Sequence, residues 1–239
     1  MGEVIANKAA ADDIFADLVT THARAVARGG KWQQLAEERI GAVLSVITNL
    51  QLRLSTAESE VLPLKAALDA QDKRSDQFIG RLSDEIWNAI GRPSFDPTYD
   101  VVFPGGIANY TVGANEEQPD RMDLLADLLE MNLISKLDPA TLADMVKRVR
   151  GESAAYRKVV DGFVQPRVRL QQLQRAKGAI AQSGQMELAH LKRLYKAQGF
   201  TEADIHSVIP DRPRPRKAPV TAPSPTPAVS VLTAPELAL

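Results

Sequence analysis

Residues 36–68 read AEERIGAVLSVITNLQLRLSTAESEVLPLKAAL, and the spacing of their aliphatic side chains decides the fold. These side chains recur alternately four and three residues apart, at Ala36, Ile40, Val43, Ile47, Leu50, Leu54, Ala57, Val61, Leu64 and Leu68. A repeat of 3.5 residues keeps one stripe of a helix facing a neighbouring helix along its length. The stretch therefore predicts a long helix that packs in coiled-coil fashion.

The stripe continues beyond Leu68, first through two polar residues and then through apolar ones. Gln71 and Ser75 occupy its next positions, and Phe78, Leu82, Ile86 and Ala89 follow. Polar residues on such a stripe set register or oligomer number at some cost in stability. Because the spacing keeps its phase across Pro63, we expect a kinked helix there rather than two helices. Gly91 and Pro93 end the helix.

The remaining chain divides into further helical segments. Residues 1–30 form an N-terminal unit whose helix, 4–28, ends at Gly29-Gly30. Residues 31–182 form a long helical hairpin, in which the segment 122–182 returns antiparallel to 33–91 and Pro166 kinks or breaks it. Residues 183–210 form a small helical hairpin. Residues 211–239 are rich in proline, and we expect a disordered tail, either solvated or a tether for a docking peptide.

A β-hairpin is predicted at the junction of the two long segments, as an insertion over residues 97–113. Tyr99, Val101 and Phe103 alternate with other residues before the Pro-Gly-Gly turn of the stretch VVFPGGIANYTV (101–112). Because an isolated hairpin is marginal in water, it must lie on helices or on another molecule. Tyr99, Phe103 and Tyr110 are the predicted partner-binding residues, with packing on the adjoining helices as the alternative.

Charge is divided unequally along the chain. Residues 1–140 hold 13 Lys and Arg against 22 Asp and Glu, whereas residues 141–217 hold 16 against 7. The simplest explanation is that the acidic and basic parts lie against each other, and head-to-tail self-assembly or polyanion binding are the alternatives. The polyanion candidates are basic residues of the region 147–177, of which we single out Lys147, Arg148, Arg150, Arg157, Lys158, Arg167 and Arg169.

Several functional classes lack their signatures in this sequence. There is no cysteine, no glycine-rich phosphate loop and no metal-ligand spacing among the three histidines His22, His190 and His206. No apolar run has the roughly 20 residues of a membrane span, and the N-terminus lacks the pattern of a secretory signal. We therefore expect no cofactor, metal, small-molecule substrate or enzymatic activity, and a cytoplasmic location or one within an intracellular assembly.

Together these patterns predict a mainly α protein: an elongated, antiparallel, coiled-coil-like bundle with a small β-hairpin and a Pro-rich tail. The function predicted from them is a structural, scaffold or adaptor role through protein–protein contacts or self-association. One such role is a subunit of a virion-like or filamentous assembly. The alternative is a nucleic-acid-associated protein that uses the basic region 147–177.

Overall fold

The computed structural model describes residues 9–210 of the chain, and helices dominate them. In chain order these are α1 Ala11–Arg28, α2 Gly30–Ala36, a π-helical turn Glu37–Gly41, α3 Ala42–Ala89, α4 Pro97–Val102, α5 Ala108–Thr111, a 3₁₀ turn Asn115–Glu117, α6 Gln118–Glu130, α7 Pro139–Ala197 and α8 Glu202–Val208. The prediction of a mainly α protein is confirmed. The predicted tail, 211–239, lies outside the described residues, as does the beginning of the predicted first helix.

The two longest helices, α3 and α7, pair antiparallel. Arg148 of α7 forms an ion pair of 2.9 Å with Glu85 near the end of α3. Further along α7, Arg169 forms an ion pair of 3.6 Å with Glu60, which precedes Glu85 on α3. Residue numbers therefore rise along α7 as they fall along α3.

Both long helices continue through an internal proline. Pro63 lies inside α3 and Pro166 inside α7. Each lies three residues from the Glu60–Arg169 ion pair, so the two prolines are at the same level of the pair. We expected a kink or a break at Pro166, and only the break is contradicted: α7 runs on to Ala197 and includes the segment that we assigned to a separate helix. A proline costs about 3 kcal/mol inside a helix, and the buried residues of α7 before Val164 and after Ile180 stabilise the helix against that cost.

Two hydrophobic cores form, one towards each end of the α3–α7 pair. The first lies between α4, α5, α6, the second half of α3 and the first half of α7, and its fully buried residues include Ile79, Leu82, Ile86, Met122, Leu125 and Tyr156. The second joins α1, α2, the π-helical turn and α8 to the other halves of α3 and α7, and includes Leu18, Ile40, Leu188, Leu191 and Tyr195.

The β-hairpin predicted over residues 97–113 is wrong, because this segment forms α4, a glycine turn and α5. The Asp96 carboxylate accepts hydrogen bonds from the backbone N–H groups of Thr98 and Tyr99, at 3.0 and 3.1 Å, and Pro97 begins the helix. Aspartate as N-cap and proline as first helical residue are strong helix-start signals. Tyr99 and Phe103 are four residues apart, so they also share one face of a helix, and that helical spacing prevails.

Candidate protein-interaction surface

The section of the α3–α7 pair between the two cores has few neighbours. From Val164 to Ile180, α7 has no buried residue, whereas both flanking parts of the helix have several. On α3, only Leu54 and Ala57 are buried between residues 51 and 67. Within residues 9–210, neighbours reach both ends of this section, where Glu116 of the 3₁₀ turn pairs with Arg167 and Asp12 of α1 pairs with Lys177. The side of α3 turned away from α7 is exposed in this section.

A second stripe runs along α3 in this section, and we call it the outer seam. Its positions alternate four and three residues apart, as those of the α7-facing stripe do, and they are Thr48, Leu52, Ser55, Ser59, Leu62 and Ala66. All six side chains are exposed. Its two leucines, Leu52 and Leu62, are 69 % and 72 % exposed. Because successive residues are rotated by 100° about the helix axis, the outer seam lies on a different side of α3 from the buried stripe.

Charge is arranged along one edge of the outer seam only. The seam itself carries no charged residue over about five helical turns. Glu58 and Lys65, seven residues apart, lie along the edge nearer the buried stripe, and both are exposed. Neither forms an ion pair with a residue between 9 and 210. The opposite edge carries the uncharged residues Asn49, Thr56 and Pro63.

This geometry suits contact with another helix. Heptad spacing keeps a stripe in line with a partner helix over many turns, and charges on its edges select the partner and its direction. Two exposed leucines on a stripe of small residues let a neighbouring helix approach closely. The outer seam is therefore the candidate interaction surface of the described residues.

The predicted partner-binding aromatic residues lie mostly inside the first core. Phe103 and Tyr110 are only 1 % and 3 % exposed, and their ring centroids are 5.7 Å apart in an edge-to-face contact. Tyr99 is half-buried between Trp87 and Phe103, and its hydroxyl hydrogen-bonds to Ser83 at 2.6 Å. Burial raises the pKa of the Tyr110 phenol. These positions match the alternative stated for the three residues, which is packing on the adjoining helices. We therefore do not include them in the candidate interaction surface.

Five of the seven predicted basic residues form ion pairs within the chain. Arg150 contacts Asp127 and Glu130, at 2.9 and 2.8 Å, and Arg157 contacts Asp120 and Asp123, at 2.9 and 2.7 Å. Arg148, Arg167 and Arg169 pair with Glu85, Glu116 and Glu60. The acidic and basic parts of the chain thus lie against each other, as the simplest explanation of the charge division requires.

Lys147 and Lys158 differ from those arginines. Both are exposed on α7, and neither forms an ion pair with the residues that the structure describes. Lys158 lines a shallow groove of about 330 Å³ between α6 and α7, together with Arg150 and Arg157. The groove also contains Asp123 and Asp161, so its net charge is smaller than the sequence suggests.

The two polar residues of the buried stripe meet a glutamate of α7. Glu152 is 8 % exposed, and its carboxylate accepts hydrogen bonds from Gln71, at 2.7 Å, and Ser75, at 3.1 Å. Arg74 adds an ion pair of 3.3 Å. These contacts occupy the polar positions within the chain, so Gln71 and Ser75 act at the α3–α7 interface.

A second buried polar group lies on α7, one turn beyond Glu152. The Tyr156 hydroxyl donates a 2.7 Å hydrogen bond to Asp72, and burial raises the pKa of that phenol well above its ordinary value. Burial, together with the nearby Asp72 carboxylate, also raises the pKa of Asp76. We interpret these groups as part of the packing between α3 and α7.

The histidines do not assemble into a metal or catalytic site within residues 9–210. His190 lies on α7 beside the π-helical turn, where its Nδ1 is 3.0 Å from Arg39, and Arg39 in turn pairs with Glu187. His206 contacts Glu202 one turn away on α8. The described part of the chain contains no group of three His, Asp or Glu side chains placed to hold a metal ion. None of its helices combines the length and apolarity needed to cross a membrane.

No protein-family model matches this chain, and neither a curated protein nor a solved structure matches it.

We did not identify the outer seam from the sequence, although the sequence contains its heptad spacing. Thr48, Ser55, Ser59 and Ala66 are small or polar, so a search for apolar periodicity passes over them. The signal that finds it is the absence of charge on one face, with Leu52 and Leu62 in phase. That signal indicates an interaction surface only when the structure shows that α7 packs on a different face of α3.

Proposed function

We propose that this chain is a structural or adaptor protein that works through protein–protein contacts, as a subunit of a larger assembly. The observation that carries the proposal is the outer seam, an uncharged stripe at heptad spacing that no described residue covers. Leu52 and Leu62, at 69 % and 72 % exposed, present apolar surface that gains free energy when another helix buries it. The surrounding fold supports this role, since the two cores hold the α3–α7 pair at both ends. Among residues 9–210, the side of α3 turned away from α7 is exposed between them.

Light scattering of the full chain over a range of concentrations tests this proposal. We expect a defined oligomer whose mass falls when Leu52 and Leu62 are both replaced by glutamate, because two buried charges oppose association. We expect the variant to keep its helicity, because both leucine side chains are exposed, and circular dichroism checks this. A wild-type chain that stays monomeric at every concentration and captures no protein partner through this face would contradict the proposal.

Nucleic-acid association is the second candidate function, and Lys147 and Lys158 are the observation that favours it. Their ammonium groups are exposed and unpaired by acids among the described residues, as phosphate contacts require. The paired arginines add less, because each is already neutralised by one or two carboxylates of the same chain. Virion and filament assembly belong to the first proposal, with contacts made by the outer seam rather than by the acidic and basic parts.

Binding of DNA and RNA at several salt concentrations tests the second candidate. Counterion release requires affinity to fall steeply as salt is added, and Lys147→Ala with Lys158→Ala should then reduce that slope by about two charges. Lys136→Ala, a lysine that pairs with Asp96 elsewhere in the fold, is the matched control. Absence of binding at low salt would end this candidate.

A further inference from the structure

We propose that the partner of the outer seam is a second copy of this chain, paired antiparallel through α3 about a two-fold axis near residue 61. This inference rests on the proposed function and specifies its partner, direction and register. It comes from the charges at the edge of the outer seam, Glu58 and Lys65. Neither forms an ion pair with a residue between 9 and 210, although Lys65 borders a shallow groove that also contains Asp69 and Glu116.

The two charges on the seam edge are complementary only to an antiparallel copy. In heptad terms Thr48, Ser55 and Leu62 are d positions, and Leu52, Ser59 and Ala66 are a positions, so Glu58 and Lys65 are g positions. In an antiparallel pair, g positions face g positions of the other helix. Glu58 then meets Lys65 of the second copy, and the symmetry repeats that ion pair on the other side.

A parallel copy places no opposite charge beside Glu58 or Lys65. There each g position faces an e position of the other helix, and the e positions of this stretch are Asn49, Thr56 and Pro63. Glu58 and Lys65 would gain no ion pair in that arrangement. The edge charges therefore favour the antiparallel direction.

Over residues 55–66 the register set by the Glu58–Lys65 pairs also matches the side-chain sizes of the seam, whereas Leu52 beyond them lies opposite Asp69 of the second copy. It places Leu62 opposite Ser59 of the second copy, and Ser55 opposite Ala66. A large side chain over a small one at the centre, with small pairs on either side, lets the two backbones approach closely.

Introduced cysteines test direction and register together, because the natural chain has no cysteine. Antiparallel pairing puts residue 55 beside residue 66 of the other copy, whereas two residues 55 lie about 16 Å apart, beyond disulfide reach. We expect a mixture of Ser55→Cys and Ala66→Cys chains to form disulfide-linked dimers of one chain each, and neither variant alone to do so. Disulfides in each variant alone would show parallel pairing and overturn the inference.

Charge reversal tests the edge contacts. Glu58→Lys or Lys65→Glu alone puts like charges opposite each other twice, and should weaken self-association about tenfold. The double variant restores opposite charges and should recover wild-type affinity. Because residues 58 and 65 are two turns apart on one helix, recovery cannot come from a contact within one chain. A double variant as weak as the single ones would overturn the inference.

Leu62→Glu and its control separate this inference from the proposed function. We expect Leu62→Glu to be monomeric, and Met186→Glu, at a methionine of α7 that is 59 % exposed, to associate as wild type does. Association that persists in Leu62→Glu leaves the proposed function standing on another surface and overturns the inference. A monomeric wild type that Leu62→Glu destabilises would show that residues 1–8 or 211–239 of the same chain cover the seam, which also overturns it.

Discussion

The side-chain amide of Gln71 donates a 2.7 Å hydrogen bond to Oε1 of Glu152, a residue 81 positions further along the chain. Ser75 donates to the same oxygen at 3.1 Å. A carboxylate that is almost fully buried is costly unless donors compensate for its lost hydration. These hydrogen bonds therefore favour one register of α3 against α7, whereas an apolar stripe alone tolerates a shift by one heptad.

Replacing Glu152 by alanine should lower the free energy of unfolding by about 2–3 kcal/mol, because it leaves the buried Ser75 hydroxyl and the Gln71 amide without their acceptor. Urea denaturation measures the change. Asp144→Ala is the control, since Asp144 makes an exposed ion pair with Arg148 on the same helix, worth about 0.5 kcal/mol or less. Equal effects of the two substitutions would show that the buried hydrogen bonds contribute little.

Two glycines of α7 should respond in opposite ways to alanine. A Cβ at Gly184 would lie 2.5 Å from a methyl group of Leu18, and because that side chain is fully buried, it would have to shift within the core. Gly184→Ala should therefore destabilise the chain by about 1–3 kcal/mol. Gly178 is exposed with nothing near its Cβ position, and Gly178→Ala should stabilise by up to about 1 kcal/mol. Thermal unfolding of both variants measures the difference, and a stabilising Gly184→Ala would show that α1 does not pack this closely on α7.

Phe103→Ala should destabilise the first core by about 3–5 kcal/mol, because the ring is 1 % exposed and contacts Tyr99 and Tyr110. Phe95→Ala removes a ring that is 68 % exposed, and should change stability by about 0.5 kcal/mol or less. Chemical denaturation gives stability, and light scattering on the same samples gives association. Weakened association with unchanged stability in Phe103→Ala would restore the partner-binding role first predicted for this residue.

Asp96 should make stability depend on pH in the acid range. Hydrogen bonds from Thr98, then from Lys136 and the backbone N–H of Tyr99, hold the pKa of this carboxyl well below its ordinary value of 3.8. A depressed folded-state pKa stabilises the fold above the ordinary value, and that stabilisation is lost as pH falls below it towards the folded-state pKa. We expect wild type to exceed Asp96→Asn in unfolding midpoint by a constant margin from neutral pH to about pH 5, and by a smaller margin near pH 3.

The matched control for Asp96→Asn is Asp100→Asn, an exposed aspartate on the same short helix. Its difference from wild type should not follow that pH course. A margin between wild type and Asp96→Asn that stays constant down to pH 3 would show that Asp96 is not charge-stabilised in the folded chain.

The sequence predicted much of the α3 helix, but it did not predict the short helices between α3 and α6, where we expected a β-hairpin. The stripe from Ala36 to Leu68 predicted a helix that the structure contains, with its polar positions Gln71 and Ser75 turned to α7. The segment after Asp96 was predicted as strands, because alternation over five residues fits a strand as well as Tyr99 and Phe103 fit a helix face. The Asp96-Pro97 start signal decides between them, and the sequence shows the same signal at Asp138-Pro139.

By itself, the sequence determined the helical class, the long stripe of α3 and the division of charge, because spacing and composition act locally along the chain. The tertiary structure alone decided which faces remain free and which charges are paired. Whether Arg150 is available depends on Asp127 and Glu130 of another helix, and whether Leu62 is exposed depends on α7 lying across a different face of α3. Burial and pairing are properties of distances between segments remote in sequence, and no local pattern fixes those distances.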